Sequence, residues 1–222
     1  MTVRNGEVSD GLEIQSLAVV SQIGGTLGNL RVQDGAVVNV AGGEFNGQAT
    51  DLFGRDFWSI DGSEVNLFGL AFFQEGSELT AGLALGESVE VTNKQMDLSG
   101  VLAEGSDIEL VSGGRSGQIA GGTVTFTKLL LGDFNHDGTV DAGDYTVWRD
   151  TLGQVVAMGT GADHDFDGVI TDGDREVWAA RFGSTVESLL AAGASAVPEP
   201  SALLMSLVLA ASTVSGRRRS AC

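Results

Sequence analysis

The chain has 222 residues, with 33 glycines, 2 prolines and a formal net charge of −18. Such a surplus of acid repels phosphate backbones and anionic bilayers, which excludes nucleic acid as a partner and favours divalent cations. The one cysteine, Cys222, allows no intramolecular disulfide and no cysteine-built zinc site, and His136 and His164 are too few for a multi-histidine centre.

Residues 1–131 are rich in glycine and alternate apolar with polar side chains, as in Leu30-Arg31-Val32, Val37-Val38-Asn39-Val40, Val65-Asn66-Leu67, Val89-Glu90-Val91, Ile108-Glu109-Leu110 and Val124-Thr125-Phe126. A period of two, broken by Gly and Asp-Gly, predicts short strands. Residues 34–40, Asp-Gly-Ala-Val-Val-Asn-Val, recur at 61–67 as Asp-Gly-Ser-Glu-Val-Asn-Leu, an offset of 27, and residues 105–110 echo them a third time. Repeated strands with glycine corners at Gly24-Gly25 and Gly42-Gly43 suit a β-solenoid, in which each coil buries its apolar side chains by stacking on the next. A β-sandwich is the competing fold, so the class is mainly β with one of these two architectures. The first ten residues lack the apolar stretch of a secretory signal, and the strand pattern is already under way at Val3. The region is therefore expected to continue upstream of Met1.

Residues 132–184 carry the clearest chemistry. A first loop, residues 133–144 (Asp-Phe-Asn-His-Asp-Gly-Thr-Val-Asp-Ala-Gly-Asp), is matched 30 residues later by a second, residues 163–174 (Asp-His-Asp-Phe-Asp-Gly-Val-Ile-Thr-Asp-Gly-Asp). Calcium takes six to eight oxygens, and a twelve-residue loop offers side chains at positions 1, 3 and 5 and a backbone carbonyl at position 7. Those positions are Asp133, Asn135, Asp137 and Thr139 in one loop and Asp163, Asp165, Asp167 and Val169 in the other. Position 9, Asp141 or Thr171, ligates directly or through water, and position 12 is Asp144 or Asp174. Gly138 and Gly168 stand at position 6, where the chain turns sharply. The aliphatic position 8, Val140 or Ile170, is expected to pair the two loops with each other. Two calcium ions are the expected cofactors.

A helix follows each loop. Val147, Trp148, Thr151 and Leu152 form its apolar face in the first copy, and Val177, Trp178, Arg181 and Phe182 in the second. Trp148 is expected to stack on Leu152 and Trp178 on Phe182, both indoles lying in the core and not forming a sugar platform. Gly153 and Gly183 would stop the helices in a left-handed cap. No amphipathic helix precedes either loop. His136 and His164 are expected to point outward without ligating. This loop-plus-exit-helix pattern, given twice, resembles the type I dockerin repeat. The resemblance implies a calcium-dependent unit which, in cellulosomal relatives, docks onto cohesin modules through loop positions 10 and 11. Here those are Ala142-Gly143 and Asp172-Gly173, without the usual hydroxyl pair.

Residues 185–196 are small and read as a linker. Residues 197–222 hold Pro198-Glu199-Pro200, an uncharged run over 201–216, and Arg217-Arg218-Arg219. That order resembles the PEP-CTERM sorting signal. It implies recognition by an exosortase, a membrane processing enzyme, with transient membrane contact and the arginines on the cytoplasmic side.

An exported, calcium-binding surface or matrix protein, a non-enzymatic scaffold or binding protein with a cohesin-like or polysaccharide partner, is the function these segments favour. The alternative is a polysaccharide hydrolase or lyase using acids among Glu44, Asp51, Asp56 and Glu64, none of which stands in a motif.

Overall fold

In the computed structural model the described residues are 2–3, 7–8, 12–14, 18–27, 30–32, 35–45, 63–91, 98–110 and 123–194. They form a mainly β protein with three short helices. The N-terminal strands are β1 (Thr2–Val3), β2 (Glu7–Val8), β3 (Leu12–Ile14), β4 (Val19–Gln22), β5 (Thr26–Leu27), β6 (Leu30–Val32), β7 (Val37–Val40) and β8 (Glu44–Phe45). They pair parallel in three stacks, β1-β4-β7, β2-β5-β8 and β3-β6. Thr2 faces Ser21, Val19 faces Val37, Glu7 faces Thr26, Thr26 faces Glu44 and Leu12 faces Leu30, so each step advances 18 or 19 residues.

The long strand β9 (Glu64–Gln74) joins this stack to the later strands. Its first half lies parallel to β7, at the offset of 27 read from the sequence: Val38 faces Val65 and Asn39 faces Asn66. On its other side it runs parallel to β14 (Thr123–Lys128). Its second half is antiparallel to β12 (Leu98–Leu102) and to β10 (Ser77–Glu78), while β11 (Ser88–Glu90) pairs with β14 and β13 (Asp107–Leu110) with β12. The third echo, residues 105–110, is thus the return arm of an antiparallel hairpin and not another step of the parallel stack. Its Gly105, at φ 99, serves the turn.

Register decides which side chains share a face. Val20, Val38, Val65 and Val124 are neighbours across four strands and all are buried, as are Val40, Leu67 and Phe126. Phe72 joins them, stacked on Phe126 at 4.3 Å between ring centroids. The opposite face carries a polar row: Asn66 Nδ2 donates to Asn39 Oδ1 at 3.0 Å, and Asn39 Nδ2 to Ser21 Oγ at 3.2 Å. Phe68 and Leu70 face away from this core by the same alternation, and a bulge in β9, where Leu70 lies between the Gly69–Leu102 and Ala71–Val101 pairs, returns Phe72 to it.

They do not meet solvent. Phe68 is buried with Ile23, Leu131, Phe166 and Val177, and Leu70 with Leu130 and Val140. The segment after residue 131 therefore packs against the sheet, and both of these cores cross the 131/132 boundary drawn from the sequence. That segment contains helices α1 (Ala142–Thr151), α2 (Asp172–Arg181) and α3 (Val186–Ala194). The last occupies most of the expected linker at 185–196. Its small residues accompany Val186, Leu189 and Leu190, which pack against the Leu70, Leu130 and Val140 cluster. Among the described residues no helix is long and apolar enough to cross a membrane. Pro198, Glu199, Pro200, Arg217, Arg218 and Arg219 lie outside the described residues.

Candidate metal centre

Both loops close by the same hydrogen bonds. Gly138 and Gly168 adopt φ 91 and 84, a region a Cβ disfavours, and their N–H groups turn back onto the position 1 carboxylates. Asp133 Oδ2 accepts from Gly138 N at 2.8 Å and Oδ1 from Asp137 N at 3.2 Å; Asp163 Oδ2 accepts from Gly168 N and Oδ1 from Asp167 N, both at 3.1 Å. The position 12 carboxylates bridge loop and helix. Asp144 accepts from Phe134 N, Asn135 N and Asp141 N, and Asp174 from Asp165 N and Thr171 N, all at 2.8–3.0 Å. Position 5 orders the next turn, since Asp137 accepts from Thr139 N at 3.0 Å and Asp167 from Val169 N at 2.8 Å.

Asp141 and Thr171 are engaged as helix N-caps. Their side chains accept from Gly143 N and Gly173 N, and with Asp144 and Asp174 they complete capping boxes. Each helix thus begins at position 10, so the short position 12 aspartate sits in its first turn beside the loop. Gly153 and Gly183, at φ 84 and 88, stop α1 and α2 as expected.

The position 8 residues do not pair with each other. Val140 N donates to Ser184 O at 2.9 Å and Gly183 N to Val140 O at 2.8 Å; Ile170 N donates to Gln154 O at 2.9 Å and Gly153 N to Ile170 O at 2.8 Å. Each loop is sewn to the exit of the other repeat's helix. The left-handed caps cause this, because they reverse the chain beside the opposite loop. Further bridges link Thr139 with Thr185 and Val155 with Val169.

In the second loop, carboxylate oxygens of Asp163, Asp165 and Asp174 lie within 4.8 Å of one another, and all three residues are buried. Burial pushes the carboxyls of Asp163 and Asp174 up to about 6, backbone donors oppose the shift, and the charge of Asp165 adds to it. Asp133 is raised for the same first reason. Three converging oxygen donors, two of them held above the usual carboxylate range, suit a hard divalent cation, which would supply the missing countercharge. In the first loop Asn135 replaces the third carboxylate; its Nδ2 donates to Asp137 Oδ2 at 2.8 Å, and Asp133 and Asp144 are the buried acids. Asp137 and Asp167 are exposed at the loop surface.

Expectation and structure part at His164. It occupies position 2 of its loop, points inward, and is fully buried, its Nδ1 accepting from Gly132 N at 2.8 Å and its ring edge-on to Phe134 at 4.8 Å. Burial depresses its pKa to about 3, so it is a neutral imidazole tying the two loops together. The signal for this is its alignment with Phe134, an apolar position. The predicted stacking along the two helix faces is met only in part. Leu152 and Phe182 are exposed, at 52% and 59%, and Trp178 meets Phe182 only edge-on, whereas Trp148 is buried. Of the alternative catalytic acids, Glu64 is exposed and Glu44 begins β8, while Asp51 and Asp56 lie outside the described residues.

No family model, curated protein or solved structure matches the chain.

Proposed function

We propose that the chain is an exported, calcium-binding cell-surface or matrix protein, a scaffold or binding protein without a catalytic role, in which residues 132–184 form a dockerin-like pair holding two calcium ions. The observation that carries this reading is the duplicated loop. Two twelve-residue turns close by the same carboxylate-to-backbone bonds, and one of them converges three buried carboxylates within 4.8 Å. Calcium suits this donor set better than zinc or copper, because the donors at the loop positions are oxygen and the imidazole of His164 is already spent on Gly132.

The parallel registers of 18 and 19 residues support a solenoid-like reading of the N-terminal region, in which three successive turns of chain stack strand on strand. Such a stack presents long faces suited to binding a polymer or another protein, consistent with a polysaccharide or cohesin-like partner. Ala142-Gly143 and Asp172-Gly173 lack the hydroxyl pair of cellulosomal dockerins, so a partner would read a different surface. Export and exosortase sorting rest on the order of Pro198-Glu199-Pro200, the apolar run and the arginine cluster.

Titration calorimetry on the whole chain tests the metal reading. Two calcium ions per chain are expected, with no uptake after the double substitution Asp133→Ala and Asp163→Ala. A wild-type chain that takes up no calcium would defeat it.

A further inference from the structure

The two loops share their closing bonds but not their surroundings. Position 4 is left-handed in both, His136 at φ 61 and Phe166 at φ 58. In the second loop this conformation drives the Phe166 ring into the β-region, where it lies 4.6 Å from Phe68 of β9, centroid to centroid, and both rings are buried. The Phe166 carbonyl accepts from Ser21 Oγ at 3.4 Å.

A second contact reaches the carboxylates themselves. Gly159 N donates to Asp163 Oδ2 at 3.0 Å, a bond additional to those from Asp167 and Gly168. The same glycine roofs the ring pair: a Cβ there would stand 2.6 Å from Phe166 and 3.0 Å from Phe68. Residues 154–162, the stretch between the two repeats, thus fold back so that one residue touches a candidate ligand and the junction at once. Phe166 lies in turn between Asp165 and Asp167.

We infer that Phe68 is a positioning residue for the second metal loop: by seating Phe166 it holds Asp165 and Asp167 in their binding arrangement, so that the affinity of the second loop, and not of the first, depends on this ring pair. The inference rests on the calcium reading above and extends it to a residue nearly 100 positions away in the chain. Coupling of this kind is reciprocal, so calcium in the second loop also fastens the loop to the sheet.

The test compares Phe68→Ala, Phe68→Tyr and Phe72→Ala in the whole chain by calcium titration and thermal melting. Phe72 lies in the same strand but packs on Phe126 in the other core, so its truncation reports a general loss of β-stability. Phe68→Ala is expected to weaken one of the two calcium affinities about tenfold, equivalent to about 1.4 kcal/mol. Phe68→Tyr keeps the ring and should restore it, and Phe72→Ala should lower the melting temperature with both affinities kept. In an Asp163→Ala background, where the first loop alone binds, Phe68→Ala should leave the remaining calcium affinity unchanged. Two unaltered affinities in Phe68→Ala, or equal weakening of both sites or by Phe72→Ala, would overturn the coupling while leaving the calcium reading intact. Absence of any binding to the wild type would remove both.

Discussion

The indole Nε1 of Trp148 donates to the backbone carbonyl of Thr171 at 2.7 Å, across from its own repeat into the other loop. Trp178 returns the bond to Asp141 O at 2.8 Å. Position 13 adds to the exchange: Tyr145 lies 5.4 Å from both Trp148 and Trp178, and its counterpart Arg175 stands 5.8 Å over the Trp148 ring. Each repeat therefore completes the other, and neither loop is held by its own helix alone.

Trp148→Phe keeps most of the buried ring but leaves Thr171 O without its donor. A loss of about 1–2 kcal/mol is expected from one partly buried hydrogen bond and some packing. Chemical denaturation in saturating calcium measures it, and the effect should extend to the first loop's affinity as well as the second's. A stability equal to the wild type would show that the crossed indole bonds are incidental.

Calcium should stabilise the whole chain and not the loops alone, because Phe166 and Val177 share a core with Phe68 and Leu131. At a hundredfold excess over the dissociation constant one site adds about 2.7 kcal/mol. A single melting transition moving upward with calcium is the expected record. Two separate transitions, only one of them calcium-sensitive, would contradict the shared core.

The raised carboxyls give a pH dependence with a definite sign. In the metal-free chain Asp163 and Asp174 titrate near 6 when folded, against an ordinary value of 3.8, so between those values the native state holds more protons than the unfolded one. Stability without calcium should then fall as pH rises from about 4 through about 6. Calcium must displace the same protons, so its affinity should fall as pH drops below about 6. Melting with and without calcium at pH 5 and pH 7.5 checks both directions. Parallel pH curves in the two conditions would contradict the assignment.

Gly159 and Gly161 are both left-handed, at φ 73 and 62, but nothing lies within 4 Å of a Cβ at Gly161. Gly161→Ala should cost only the backbone strain, about 1–2 kcal/mol. Gly159→Ala adds a collision with the Phe166 ring and should cost clearly more. Equal urea midpoints would mean that the ring pair yields freely.

The features legible in the sequence are those dictated by one residue's chemistry. Glycine at position 6, glycine past each helix and aspartate at position 12 each force a local geometry, and the structure places all of them so. The offset of 27 is readable because Asn39 and Asn66 are bonded neighbours of the same residue type. The shorter 18–19 step is harder to see: Val19 and Val20 face Val37 and Val38, but its strands are only two to four residues long, and paired valines are common wherever strands are. Position 8 is recognisable as a pairing position, but its partner depends on where the opposite helix releases the chain. His164 and α3 escape a local reading for a common reason. Both are polar or small by composition, and both are buried or docked because another segment arrives there, which no local pattern records.

The seat of α3 has a mechanical consequence. Val186 N donates to Gly138 O at 3.2 Å, Thr139 bridges Thr185, and the Leu189 side chain rests over Gly105 in the β12–β13 turn. A pull on the chain beyond Ala194 would load these contacts before any strand of the sheet. The first loop would act as the shackle through which tension from the C-terminal end enters the molecule, and metal bound there would set the force at which it gives.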